Sequence, residues 1–251
     1  MTKVPDGIQL HYARESVALM LWFMRRKVSE GVPFRAALAD YADIYRKTSF
    51  FDLKDPEGNK RRRPEWEALV ARLESAFRAP GGELDALALL DPHLKERVVR
   101  GLPLVDYQDH ADFGCFYYAA MGDVIDLHFT NTLLPASPFR DPARLSRDLL
   151  ALVADVRKKH PAATHIKCGS WLNAFPPFRA LFPEGWKDSG EPKSFNSLGW
   201  WGQFARHDGD FHANNADRFR ATGEFPYRCT FHQCRVAELE GHLRLAAAAR
   251  N

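Results

Sequence analysis

The sequence predicts an α+β protein: a mainly helical N-terminal region followed by a mixed β-sheet with flanking helices. Apolar residues recur at three- and four-residue steps through the first hundred positions, the period of an amphipathic helix. Beyond residues 101–112 the period drops to 2, the signature of strands half-buried on one face. Gly122-Asp123 then separates two such runs, and a two-residue turn with glycine first closes an antiparallel hairpin. The expected division is a helical region 1–105 and a mixed-sheet α/β domain 106–251, either as two domains or as one compact unit.

In the helical region, Met20, Leu21, Met24 and Val28 place a helix over 12–28, which Gly31-Val32-Pro33 ends. Phe34, Ala37, Leu38, Tyr41, Ile44 and Tyr45 continue the spacing, with Pro33 at the first turn. A polar loop, 52–64, carries Lys60-Arg61-Arg62-Arg63, a run read either as a solvated loop or as a contact for phosphate or an acidic partner. Pro64 opens a helix whose Trp66, Leu69, Val70, Leu73 and Phe77 share a face, and two short helical pieces are expected over 83–90 and 92–100.

In the sheet region, strands are expected over 113–120 and 124–130. In the second, Ile125, Leu127 and Phe129 face one way while Asp126, His128 and Thr130 face the other. Asp141 and Pro142 cap and open a helix lined by Leu145, Leu149, Leu152, Val153 and Val156. A strand over 164–169 runs into Ser170, a cap for a short helix that Pro176-Pro177 disturbs. Further strands are expected over 194–204 and 227–232, with helices over 210–222 and around Val236, Leu239 and Leu243. Strand, helix, strand in one unit implies a parallel pair joined by a crossover.

Composition is that of a globular protein, 45% hydrophobic and 27% charged, and a net charge of +3 offers no footprint for nucleic acid. Cys115, Cys168, Cys229 and Cys234 lack zinc-ribbon spacing, and no apolar run reaches membrane-spanning length. The expectation is a reduced, cytoplasmic protein with a small-molecule substrate and neither nucleic acid nor membrane as partner.

The chemistry-bearing residues gather at the ends of two strands. His128 can act as a general base, with Asp126 two residues away on the same strand face; the alternative is a sheet-face histidine without a role. Cys168 is either a nucleophile at a strand end or a buried structural thiol sharing the parity of Ile166. Ser170 is first a cap, yet Gly169 and Ser170 can offer backbone N–H groups to a developing oxyanion, joined by Asn173. Trp171, Trp200 and Trp201 are core aromatics or the walls of a cleft for an acyl chain or a flat ligand. His207, Asp208, Asp210 and His212 form a dense run that would support a metal-dependent enzyme as a weaker reading.

The element order from Phe113 onward resembles the central part of GNAT-like acyltransferases. Gly122-Asp123, Leu127-His128-Phe129 and Cys168-Gly169-Ser170-Trp171-Leu172 resemble in wording the GNAT-like C-terminal domain of a bacterial N-acyltransferase family, over roughly residues 113–205. The resemblance implies transfer of an acyl group to the amine of a small molecule, from acyl-CoA or another acyl thioester. The sequence departs from that pattern in loop 131–140, which lacks the glycine-rich turn that holds a pyrophosphate on backbone N–H groups. Arg140 and Arg144 would substitute by charge at the helix start. A ligand-binding or interaction protein that keeps the fold without catalysis stays open beside the enzyme.

Overall fold

A computed structural model describes residues 4–52, 55, 57, 59, 64–102, 112–191 and 193–248. The basic run Lys60–Arg63 lies outside these. The chain divides into two compact units, and the second crossing was not legible in the sequence. A helical unit takes Val4–Asp106 and Ser194–Pro226; a sheet unit takes Tyr107–Lys193 and Tyr227–Asn251.

In the helical unit, α1 (Asp6–Ser29) begins six residues before the apolar spacing becomes regular and buries Tyr12, Val17, Met20, Phe23 and Met24. Short helices α2 (Phe34–Asp40) and α3 (Ile44–Lys47) lead to α4 (Pro64–Phe77), where the five residues expected on one face are the buried ones. The two helical pieces expected over 83–100 are one helix, α5 (Gly82–Val99), which passes through Pro92. Proline there removes one backbone donor, but Leu90, Leu94 and Val98 are all buried on the same side, and that packing holds the helix through the break.

The later helices are α6 (Pro142–Lys159), α7 (Pro176–Arg179), α8 (Leu198–Trp201), α9 (Ala213–Thr222) and α10 (Val236–Ala248). The expected strand over 194–204 is instead α8 followed by a 3-10 turn, Gly202–Phe204. Its aromatic residues carry strand propensity but no alternation. Turned as a helix they all reach one core, where Trp201 packs on Phe23, Phe204, Phe219 and Phe225. α9 ends at Gly223 in the left-handed conformation, as its position after the last periodic residue predicts.

The sheet unit carries β1 (Phe116–Met121), β2 (Val124–Phe129), β3 (His165–Ser170), β4 (Lys187–Asp188) and β5 (Thr230–Arg235), in the order β1-β2-β3-β5-β4. β1 and β2 form the expected hairpin, with Met121 opposite Val124 and Gly122 at φ 67° in the turn. β2 and β3 are parallel across α6, and β5 is antiparallel to both β3 and β4. The last strand starts three residues later than its apolar pattern suggests, and the two-residue β4 had no pattern to read.

One face of this sheet is built on Ile125, Leu127, Ile166, Cys168 and Cys234, which join Leu145, Leu149, Leu152, Val153 and Val156 of α6 and Val236, Leu239 and Leu243 of α10 in one core. Asp141 caps α6 by accepting from the Arg144 N–H at 2.9 Å. The other face carries Tyr117, Asp126, His128, Lys167, Gly169, Phe231 and Gln233, none fully buried. No helix among the described residues is long and apolar enough to cross a membrane.

Candidate functional site

The residues of interest meet where β2 and β3 come apart. Their pairing runs from Val124↔His165 to Asp126↔Lys167 and stops, although both strands continue to Phe129 and Ser170. Each strand still has its outer neighbour, β1 for β2 and β5 for β3, so the sheet opens only between them. Ends of parallel strands that part in this way are where open α/β sheets bind ligands.

On one lip, His128 Nε2 lies 3.4 Å from Asp126 Oδ2, with the two side chains 38% and 32% exposed. Tyr117, opposite His128 across the hairpin, stacks on the imidazole at 4.8 Å between ring centres and 16° between planes. A carboxylate at Nε2 favours the proton on that nitrogen, which leaves Nδ1 as the acceptor.

On the other lip is Gly169. The Phe231 carbonyl accepts from the Ser189 N–H on the β4 side, at 2.8 Å. By antiparallel alternation Gly169, the partner of Phe231, turns its own N–H towards β2, just past the last paired residues. Its carbonyl accepts from Lys193 Nζ at 2.8 Å. Lys193 and Lys167 both approach the Phe231 ring, at 4.5 and 4.4 Å from its centre, and Lys167 also pairs with Glu191.

Three residues expected at this site are committed elsewhere. Cys168 projects from the opposite face of β3 into the core, 3% exposed. Burial, with the Asp126 charge second, pushes its thiol up to about 12, which disfavours the thiolate that a nucleophile needs. Burial raises Cys229 and Cys234 to about 12 as well. Asn173, 1% exposed, gives both amide hydrogens away, to the carbonyls of Cys168 at 2.8 Å and Thr230 at 2.9 Å. Its carbonyl accepts from Trp186 Nε1 at 3.1 Å. It ties the ends of β3 and β5, and its side chain has no donor left for an oxyanion. Ser170 Oγ accepts from the Leu172 N–H at 3.2 Å and serves as the cap.

Of the three tryptophans expected to wall a cleft, only Trp171 lies at the strand ends. Trp200 and Trp201 belong to the helical unit and are buried in its core. At the strand ends, Phe129 stacks on Phe139 at 5.5 Å, Phe139 meets Phe175 at 5.1 Å, and Phe175 meets Trp171 at 5.9 Å. Tyr227 continues the series from Trp171 at 5.4 Å. These partly buried rings run from the end of β2 past the end of β3. Tyr117 was missed in the sequence although the hairpin turn fixes it opposite His128; Lys193 lies in coil and left no periodic signal.

The two arginines expected to meet an anion by charge stand at the start of α6. Arg140 is the exposed last residue of the 3-10 turn Pro138–Arg140, and Arg144 faces Asp148 at 3.8 Å. With the Asp141 carboxylate already on the helix terminus, the start of α6 is a poor place for a second anion. In the helical unit the His/Asp run is engaged structurally. Asp210 pairs with His11 at 2.7 Å, Asp208 with Arg206 at 2.7 Å, and His212 caps α9. Among the described residues no group of three or more His, Cys, Asp or Glu is placed to hold a metal ion.

His232 lies opposite Cys168 on the core face, its Nδ1 buried with no hydrogen-bond partner among the described residues. Burial, with Arg179 adding, holds its pKa below the ordinary 6.5 against the opposing pull of Asp188 and the Trp186 backbone. Below pH 6.5 the unfolded chain therefore binds a proton that the native chain resists, and stability falls as pH falls. Urea midpoints measured from pH 7.5 to 5.5 are expected to decline, and less steeply in His232→Gln. An unchanged slope in the variant would assign the effect to other groups.

No protein-family model, curated protein or solved structure matches this chain.

Proposed function

We propose that this chain is a GNAT-like N-acyltransferase that moves an acyl group from a thioester to the amine of a small molecule by direct attack, without an acyl-enzyme. The observation that carries the reading is the parting of β2 and β3 beyond Asp126↔Lys167, with the His128–Asp126 pair on one lip and the Gly169 N–H on the other. The thioester carbonyl lies in the gap, and its acyl chain passes through it towards the partly buried rings Phe129, Phe139, Phe175 and Trp171 on the core side. The acceptor nitrogen attacks the carbonyl carbon and gives its proton to His128 Nδ1. The oxyanion accepts from the Gly169 N–H; collapse forms the amide and expels the thiolate, which takes the proton back from the imidazolium. General base action of this kind contributes about 10²–10⁴-fold. The buried, neutral Cys168 thiol supports direct transfer over a covalent intermediate.

The capped start of α6 favours a second reading, a binding protein that keeps the crevice without turnover. Release of free thiol from acetyl-CoA and from a small acetyl thioester, in the presence of a panel of amines, separates the two. Turnover should fall on the order of 10²-fold in His128→Ala and stay within about 3-fold in Cys168→Ala. Coenzyme A is expected to bind weakly by calorimetry, and more weakly in an Arg140→Ala, Arg144→Ala double variant. Turnover that depends on Cys168, or a covalently acetylated protein, would overturn direct transfer. Thiol release from neither thioester would leave the binding reading.

A further inference from the structure

The face of the sheet that carries His128 is divided by charge. Asp126 and Lys167 are register partners on adjacent strands, so their side chains leave the same face side by side, one strand spacing apart. The negative pole continues towards the lip through the Asp126–His128 pair. The positive pole continues across β3, where Lys167 and Lys193 both approach Phe231, their ammonium groups 4.4 and 4.5 Å from the ring centre. Lys193 is fixed in that place by the Gly169 carbonyl. Glycine at 169 is required for this arrangement, since a Cβ there would overlap both Phe231 Cε1 and Lys193 Nζ.

From this juxtaposition we infer that the molecule bound on this face is a zwitterion of the amino-acid type, with its ammonium at Asp126–His128 and its carboxylate at Lys167–Lys193. A cationic amine without a carboxylate would gain nothing from the two lysines, and an anion without an amine would meet Asp126. Glu191 supports the assignment of poles. It is 51% exposed and hydrogen-bonds Lys167, so the chain's own carboxylate stands where a ligand carboxylate is expected to dock. A ligand carboxylate must displace or share that contact, which makes Glu191 a competitor of the ligand. As the acyl acceptor, the bound molecule would lose one ammonium proton to solvent and then present its amine nitrogen to His128, which takes the second; that role rests on the acyl-transfer reading, whereas the binding does not.

The test is calorimetry and ligand-observed NMR on the full chain with each common L-amino acid and with the matching amine that lacks the carboxylate. At least one amino acid is expected to bind, with its decarboxylated partner at least about 10-fold weaker. Lys167→Ala and Lys193→Ala should abolish that difference, Asp126→Asn should weaken the amino acid, and Glu191→Gln should tighten it several-fold. Circular dichroism of each variant checks the fold, and Glu191→Gln, which gains affinity, cannot be explained by unfolding. Binding of no amino acid, equal binding of acid and amine, or discrimination that survives both lysine changes would overturn the inference. Amino-acid binding without acylation would sink the transferase reading and leave this site standing. Equal acylation of amine and amino acid would do the reverse.

Discussion

Replacing Asn173 by alanine is expected to remove about 3–5 kcal/mol of stability, the cost of orphaning several buried polar groups at once. The amide serves the Cys168 and Thr230 carbonyls and receives the Trp186 indole, all at 2.8–3.1 Å. Each buried group left unsatisfied costs about 1–3 kcal/mol, and water entering the space offsets part of the sum. Asn173→Asp should be no milder, because it keeps the acceptor for Trp186 but buries a charge that repels two carbonyl oxygens. Urea unfolding followed by tryptophan fluorescence measures the effect; a loss below about 1 kcal/mol would mean that the staple between β3 and β5 is not structural. An oxyanion role would look different, with turnover lost at unchanged stability.

Much of the sheet unit was legible because its signals are local and agree with one another. Gly122-Asp123 sets the hairpin register, Asp141-Pro142 starts α6, and the alternation in β2 separates Ile125 and Leu127 from Asp126 and His128. The same arithmetic already placed Cys168 with Ile166 on the core side, and the structure puts it there. At Ser170 the expected cap is what the structure shows. Proximity in sequence misled at Asn173, whose side chain the turn after β3 spends on bonds between strands. Aromatic identity misled at Trp200 and Trp201. A ring can wall a cleft or fill a core, and which of these it does is decided by chain return. Residues 194–226 rejoin the helical unit after the sheet has begun, a crossing that no composition change announces. Lys193 is the last residue before that crossing and lies in coil, which is why its bond to the Gly169 carbonyl had no signature.

Gly169→Val is expected to cost about 3 kcal/mol and to abolish amino-acid binding, so it joins the fold to the site in one position. Gly169 pairs with Phe231 across β3 and β5, and the ring lies over the glycine in the space a side chain would fill. A valine there must push the ring outward. It also meets Lys193 Nζ, and although that tip is flexible, moving it breaks the bond to the Gly169 carbonyl that holds the ammonium in place. The strain is specific to the pair, so a double-mutant cycle with Phe231→Ala isolates it. Phe231→Ala alone loses the ring's packing, but in its background Gly169→Val should cost about 1 kcal/mol or less, because valine fits the strand and the overlap is gone. A coupling energy of about 2 kcal/mol is the expected result. Amino-acid binding should not return in the double variant, since Lys167 and Lys193 have lost the ring on which they converge. Additive effects in the cycle would show that β3 and β5 adjust freely around residue 169, and the glycine would then have to be explained by the backbone alone.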